Sequence, residues 1–522
     1  MEAAATVGAV GAAGLAGCGS DGGDGGGGGD GGGDGGDGGG DGGDGGDGGD
    51  GGDGSQQTSE QNFVFWTMRG YIPEVSNSIQ DTAKAFEDEA SSPVNLTTNV
   101  IVWAQVFPKW QSSIQGRNAP NVSEMAGEHA VDFGDQGVND PVTDIYSDFD
   151  DWFETMDYWT SYDGENYGLP WFLEVRSYLY RMDLLSDAGI NEAPRTWEDL
   201  ISAGKTIRDQ FGEEITPIGQ PGGSDFATGQ QMFDATHKFG GDFFQYENGQ
   251  WNVTLDESDA VFGHLLQASL GQDHWDVAPR GWTGMAGSDV RALFQEGSAA
   301  MYQANGEPLR AAVNNPDEKD NQNIIEHTEV MTAPTGAVEE RGNAAFMGGS
   351  VVSPFSENVT KNNAPDLKTE FLEYWMNPST QQKVFTAAAP IFTPVRQSQT
   401  EAPPYGGENP TDLKQSWLDA MSEQAEKAVR YGVSGAKRCS PFLGSTEGNT
   451  TGYSQAFTSM IGAGNPPSQI QNMANQMRNT ASDRLDYTLQ EQSDGVSLDN
   501  LNDQAMAWAD GSGPHQIWNP LE

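Results

Sequence analysis

Apolar positions along this chain follow two periods that alternate. Phe63-Val64-Phe65-Trp66 is a short apolar run that reads as a strand, and residues 76 to 90 then place Ile79, Ala83 and Phe86 on one helical face. Residues 94 to 103 alternate and close in Val100-Ile101-Val102-Trp103, a second strand, before a helix through Trp110 and Ile114. This alternation predicts a mostly parallel sheet covered by helices. Asp163-Gly164 supplies a hairpin turn between the aromatic arms of residues 159 to 171, and Asn248-Gly249 repeats the device in residues 246 to 253. Thr196 opens a helix as a cap, with Leu200, Ala203, Ile207 and Phe211 as its buried stripe. A helix over 289 to 296 stops at Gly297, and residues 299 to 302 form a strand leading to an Asn305-Gly306 turn. Leu367, Phe371, Leu372 and Trp375 share one face of a helix that Asn377-Pro378 closes.

Composition changes this picture at the N-terminus and at the surface. The 522 residues include 77 acidic and 26 basic side chains, a formal charge of -51. Residues 21 to 54 hold only 24 Gly and 10 Asp, which cannot pack a core, yet the 468 residues after them still carry 66 acidic groups against 26 basic ones. Self-repulsion of that size is tolerable where concentrated salt screens charge over a few Å, so the chain reads as halophilic. A nucleic-acid binder needs clustered Lys and Arg, which excludes that class. Fourteen Trp, 23 Phe and 14 Tyr exclude a wholly disordered acidic chain. Some 450 globular residues exceed one typical core and imply at least two lobes.

Residues 3 to 17 are uncharged and small or apolar, matching the core of a secretion signal and too short to span a bilayer. Leu15-Ala16-Gly17-Cys18 resembles a lipobox, which makes Cys18 the expected lipidation site, although no Lys or Arg precedes the apolar stretch. Residues 19 to 59 then form a disordered tether; about 35 residues of Gly-rich coil reach roughly 30 to 35 Å. Cys439, left without a partner once Cys18 is acylated, is expected as a buried free thiol.

Four stretches in register resemble the family 1 extracellular solute-binding proteins of ABC importers, the maltose-binding-protein-like group. They run from Tyr162 to Gly204 (YDGENYGLPWFLEV…APRTWEDLISAG), Gly240 to Ala260 (GGDFFQYENGQWNVTLDESDA), Phe294 to Gly306 (FQEGSAAMYQANG) and Met347 to Phe385 (MGGSVVSPF…EYWMNPSTQQKVF). With the lipobox, the resemblance is to a haloarchaeal-type lipoprotein. It implies an α/β fold of two lobes with the ligand cleft between them: residues 60–172 plus 343–395 in one, 173–342 plus 396–522 in the other, and 1–18 as signal remnant. It further implies an extracellular, lipid-anchored monomer that binds a neutral mono- or oligosaccharide, hands it to permease subunits served by an ATPase, and needs no cofactor or metal.

Sugars present flat C–H faces and rims of hydroxyls, so their sites pair aromatic platforms with carboxylates and amides. In open α/β sheets such groups sit beyond the carboxyl ends of strands. Trp66, Arg69, Trp103, Glu128 and His129 are the candidates in the first lobe, with Trp171 and Glu174 beside the first crossing. The resemblance supports Glu174, four positions after Pro170, where the maltose-binding branch has an acidic sugar contact. Asn305, Gly306 and Glu307 stand where the family often continues with a platform Trp; this chain reads NGEP, leaving Trp275 or Trp282 as replacements and Phe442 as a further cleft aromatic. A secreted glycoside hydrolase, and a binding protein for glycerol phosphate or another polar solute, are the competing functions. The chain has no H-E-x-x-H, G-x-S-x-G or P-loop.

Overall fold

The computed structural model describes residues 60–68, 72–271, 274–338, 341–433, 435–448, 452–461, 466–485 and 487–489. The signal-like stretch, Cys18, the Gly/Asp tract, Arg69 and the segment from Ser493 to Glu522 lie outside the described residues. The chain opens with β1 (Gln61–Met68), β2 (Val94–Ile101) and β3 (Val122–Met125), connected through helices Pro73–Lys84 and Trp103–Gln115. A tight hairpin of β4 (Ser161–Tyr162) and β5 (Glu165–Asn166) precedes β6 (Leu169–Val175), which passes through Arg176 alone into β7 (Ser177–Arg181). There follow β8 (Thr216–Gly219), a second hairpin of β9 (Phe244–Glu247) and β10 (Gln250–Val253), β11 (Ala299–Ala304), β12 (Thr328–Met331), the long β13 (Ala345–Pro354) and β14 (Ala428–Val429).

Two mixed sheets, each with its own helices, make two lobes. The first has the order β14-β13-β3-β1-β2, with β6 also on β13; the second runs β12-β7-β11-β8. Only β2-β1-β3, β13-β14 and β11-β8 pair in parallel, while β13 lies antiparallel to β3 and β6, and β7 antiparallel to β11 and β12. The mostly parallel sheet expected from the strand–helix alternation is therefore replaced by mixed ones. The reason lies in the crossings: β6 leaves the first sheet for the second as β7, and β13 returns, so crossing strands run against those connected by helices. Residues after 395 serve both sides. β14 joins the first sheet, helix Leu443–Gly448 packs on helix Gly127–Asp135, and helix Gly452–Ile461 packs on helix Phe226–Lys238.

The first core shows why these elements form. Phe63 and Phe65 alternate inward on β1 and meet Phe371 and Trp375 from helix Pro365–Met376, with ring centroids 5.0 to 5.2 Å apart. Burying each such side chain contributes about 1.5–3 kcal/mol. Local signals held at the ends of elements too. The Thr196 hydroxyl accepts from Asp199 N at 3.1 Å, and both hairpin turns take left-handed angles, Asp163 and Gly164 at φ 50 and 86, Asn248 and Gly249 at 53 and 82. Asn377 ends one helix and caps the next, accepting from Ser379 N at 3.0 Å.

Candidate functional site

Between the lobes lies a cleft of about 310 Å³, at the carboxyl ends of β2, β3 and β11. The first turns of five helices line it, through Trp103, His129, Phe226, Gly287 and Glu307. The first N–H groups of a helix lack intrahelical partners, so such a wall offers donors and a positive partial charge. Gly349 brings β13 against this wall. Its φ is +132, and a Cβ there would come within 2.5 Å of Phe172 O.

The arginines of the cleft are held in internal pairs, while the Asp225 carboxylate accepts from the backbone N–H of Gly287. Glu174 Oε1 accepts from Arg176 Nη1 at 2.6 Å and from Asn305 Nδ2 at 2.7 Å, while Arg176 Nε and Nη2 both donate to Gln230 Oε1, at 3.2 and 2.7 Å. Arg291 Nη1 donates to Glu307 Oε2, and Glu307 N donates to Asn305 Oδ1 at 3.1 Å. Asn305 thus ties the Glu174 carboxylate to the backbone at the start of helix Glu307–Asn314. Burial pushes the Glu307 carboxyl up to about 7 against the pull of Arg291, with Glu174 pushing the same way. Burial also holds His129 down at about 4, so its ring, 5.4 Å from Trp110 and 5.8 Å from Phe107, is neutral at pH 7. Below the cleft, Glu124 accepts from Thr67 Oγ1, Met68 N and Ser350 Oγ at 2.6 to 2.7 Å, which pins the ends of β1, β3 and β13 together.

The structure brings Trp103, His129, Glu174, Asn305 and Glu307 together on this cleft. Trp103 opens the helix Trp103–Gln115 instead of ending β2, because β2 stops at Ile101. The Asn305-Gly306 turn leads from β11 into the helix Glu307–Asn314; a Cβ on Gly306 would come 2.4 Å from the Pro390 carbonyl carbon. The remaining candidates lie elsewhere. Glu128 is wholly buried, its Oε1 accepting from Arg430 Nη2 and its Oε2 from Trp159 Nε1 at 2.7 Å. Trp171 is wholly buried, packed edge-on against Trp375 and Phe392. Phe442 is buried against Phe244 and Trp251, Trp282 against Phe457, and Trp275 in the turn after helix Ser258–Ala268. Trp66 is half-buried on β1, off the cleft.

Residues 70–382 match the family described as bacterial extracellular solute-binding protein, over more than half of the chain. The chain belongs to that family. Among relatives of this chain, the diacetylchitobiose binding protein DasA of Streptomyces coelicolor is 27% identical over 163 residues, covering 31% of this chain and 37% of DasA. An arabinooligosaccharide-binding protein of Halalkalibacterium halodurans is 26% identical over 207 residues, covering 38% and 43%. The chain thus spans less than half the length of these two relatives. Among solved structures, the GacH receptor of Streptomyces glaucescens superposes with a TM-score of 0.63 at 19% identity, over 81% of this chain and 99% of that one. A chitin oligosaccharide binding protein gives 0.64 at 16% identity, over 81% and 99%. At that identity the superpositions speak for the two-lobed fold.

Several cleft residues escaped the sequence reading: Phe107, Phe172, Arg176, Gln230, Gln303 and Arg430 among them. Two carried a usable signal. Side chains on a strand alternate, so once Glu174 is set toward the cleft, Phe172 shares its face and Trp171 points the other way. Gln303, two residues before Asn305 at the end of β11, follows by the same rule. Arg430 carried none, since only the fold brings it back to Glu128.

Proposed function

We propose that the chain is an extracellular carbohydrate-binding protein that closes its two lobes on a neutral oligosaccharide and delivers it to the permease of an ABC transporter, with no chemistry on the sugar. The observation that carries this is the internal pairing of the cleft's arginines. Arg176, Arg291 and Arg430 are each bonded to a carboxylate of the same chain, which leaves amides, carboxylate edges and aromatic rings to meet a ligand without net charge. The names of DasA and of the arabinooligosaccharide-binding protein support the same class of ligand. Trp103, His129, Glu174, Asn305 and Glu307 are the proposed contacts, with Phe107, Phe172 and Gln303 added. Closure follows if the ligand bonds groups from both lobes, because only a difference in affinity between open and closed states shifts their balance. A lipid on Cys18 and the Gly/Asp tract would hold the protein at the outer face of the membrane, and the acidic excess suits a saline medium.

The test is intrinsic tryptophan fluorescence of the full chain in concentrated KCl, titrated with maltotriose, N,N′-diacetylchitobiose, arabinotriose and glycerol 3-phosphate, with product analysis of the same tubes. A saturable shift with one of the sugars, recovered intact, supports the reading. Cleaved sugar makes the protein a hydrolase, and a response to glycerol 3-phosphate alone replaces carbohydrate by an anionic solute.

A further inference from the structure

Behind the cleft wall, Asp234 on helix Phe226–Lys238 takes part in two bonds that meet at one carboxylate. Its Oδ2 accepts from Gln303 Nε2, and its Oδ1 accepts from the backbone N–H of Phe346 near the start of β13. Asp234 is 3% exposed and Gln303 6% exposed, and Gln303 lines the cleft while Asp234 does not. A carboxylate only accepts hydrogen bonds, so the amide of Gln303 must turn its NH2 toward Asp234. Among the described residues its Oε1 has no hydrogen-bond partner, and it is not sealed from solvent, so it is the amide oxygen that remains open to the cleft. Burial raises the Asp234 carboxyl above its usual range. Lys238, one turn further on and 1% exposed, draws it back toward the charged form, as do the bonds from Gln303 and Phe346 and the nearby Arg176.

Gln230 shows the opposite arrangement. Its Oε1 is taken by Arg176, which leaves the NH2 as the end available to the cleft. One glutamine is therefore fixed as acceptor and its neighbour in the wall as donor. For a ligand recognised by hydroxyl groups, each of which donates one bond and accepts others, such fixed senses decide which orientation is tolerated.

We propose that Asp234 is a positioning residue that sets the sense of hydrogen bonding in the cleft: by holding the Gln303 amide, it makes Gln303 Oε1 a fixed acceptor for a hydroxyl or N–H of the ligand. As to the ligand's nature, this rests on the carbohydrate reading above. The substitution Asp234→Asn keeps size and shape, but with its oxygen on Phe346 N–H it turns an NH2 toward Gln303. The Gln303 amide then flips and offers the cleft a donor in place of an acceptor. Adding Gln303→Glu restores an acceptor on both sides of that side chain.

The experiment compares the full-length wild type, Asp234→Asn, Gln303→Met and Asp234→Asn/Gln303→Glu, by calorimetric titration with maltotriose and N,N′-diacetylchitobiose in concentrated KCl. For whichever sugar binds, Asp234→Asn and Gln303→Met are expected to weaken binding about 10- to 100-fold, and the double variant to return within about threefold of wild type. Unchanged affinity in Asp234→Asn, or a double variant no better than the single, overturns the proposal. Should Asp234→Asn lose its fold, Gln303→Met carries the same test, since it removes the acceptor and leaves the bond to Phe346; unchanged affinity there is equally fatal. A readout without ligand separates this idea from the choice of sugar. With 15N-glutamine labelling, the side-chain NH2 signal of Gln303, assigned through Gln303→Met, should shift and exchange faster with solvent in Asp234→Asn. If neither sugar binds the wild type but that shift is seen, the carbohydrate reading falls and the positioning role stands; an unmoved signal ends it.

Discussion

The two walls of the cleft differ in kind. From the first lobe come Trp103, Phe107, Phe172 and a neutral His129, a surface mainly of rings with Glu174 at its edge; from the second come Asp225, Gln230, Arg291, Gln303, Asn305 and Glu307, a surface of hydrogen-bonding groups with Tyr302 and Phe226 set among them. A ring wall gains from area and dispersion and tolerates small rotations of what it covers. A wall of fixed donors and acceptors does not, because each unmet group costs a desolvation penalty. The contrast suggests a division of labour, affinity for the face of a sugar on one side and choice among hydroxyl patterns on the other.

The largest effect is expected behind the ring wall. Glu128 and Arg430 form a buried pair, their side chains 0% and 5% exposed, so Glu128→Ala leaves the Arg430 guanidinium buried without that carboxylate. That should cost about 3–5 kcal/mol of stability in denaturant unfolding. A loss of ligand affinity with stability intact would instead make Glu128 a contact. Next comes the hydrogen-bonding wall. Asn305→Ala releases the Glu174 carboxylate and the Glu307 backbone N–H, and a loss of about 1.5–3 kcal/mol, or 10- to 100-fold in Kd, is expected by calorimetry. Trp103→Ala on the ring wall should cost less, about 0.5–1.5 kcal/mol in all, and it should weaken different sugars alike where Asn305→Ala separates them. If Trp103→Ala discriminates more sharply than Asn305→Ala, the division between the walls is wrong.

The smallest effect is one of pH. Burial lifts the Glu307 carboxyl to about 7, above its ordinary value of 4.5, so the folded protein holds this proton more tightly than the unfolded chain does. The contribution to stability is complete below pH 4.5 and is lost as pH rises through about 7. Against a Glu307→Gln reference, wild-type stability should therefore decline from pH 4.5 to 7 and run level above. A difference that grows in the other direction would place Glu307 in a different environment.

The same two walls show what could be read from the chain alone. The fold class was legible because strand and helix periods, capping at Thr196 and both Gly-containing turns are local properties. The sites followed only where a local rule also reached the cleft, as Glu174, Asn305 and Glu307 did through their motifs. Trp171 was expected beside Glu174, yet residues three apart on a strand face opposite ways, and the structure puts Trp171 in the core with Phe172 on the cleft side. Glu128 and His129 sit side by side in one helix turn, and the turn sends one inward to Arg430 and the other outward. Arg430 meets Glu128 302 residues away, and Asp234 meets Gln303 and Phe346 at 69 and 112 residues, relations that no spacing in the sequence encodes.

A crystal structure of the complex with whichever sugar binds tests the central claim most directly. The account predicts a sugar ring lying face-on to Trp103, Phe107 or Phe172, its hydroxyls bonded to Gln303, Asn305 and their neighbours, with Arg176 and Arg291 still on Glu174 and Glu307. A ligand anion drawn between those two arginines, with the carboxylates displaced, would contradict it.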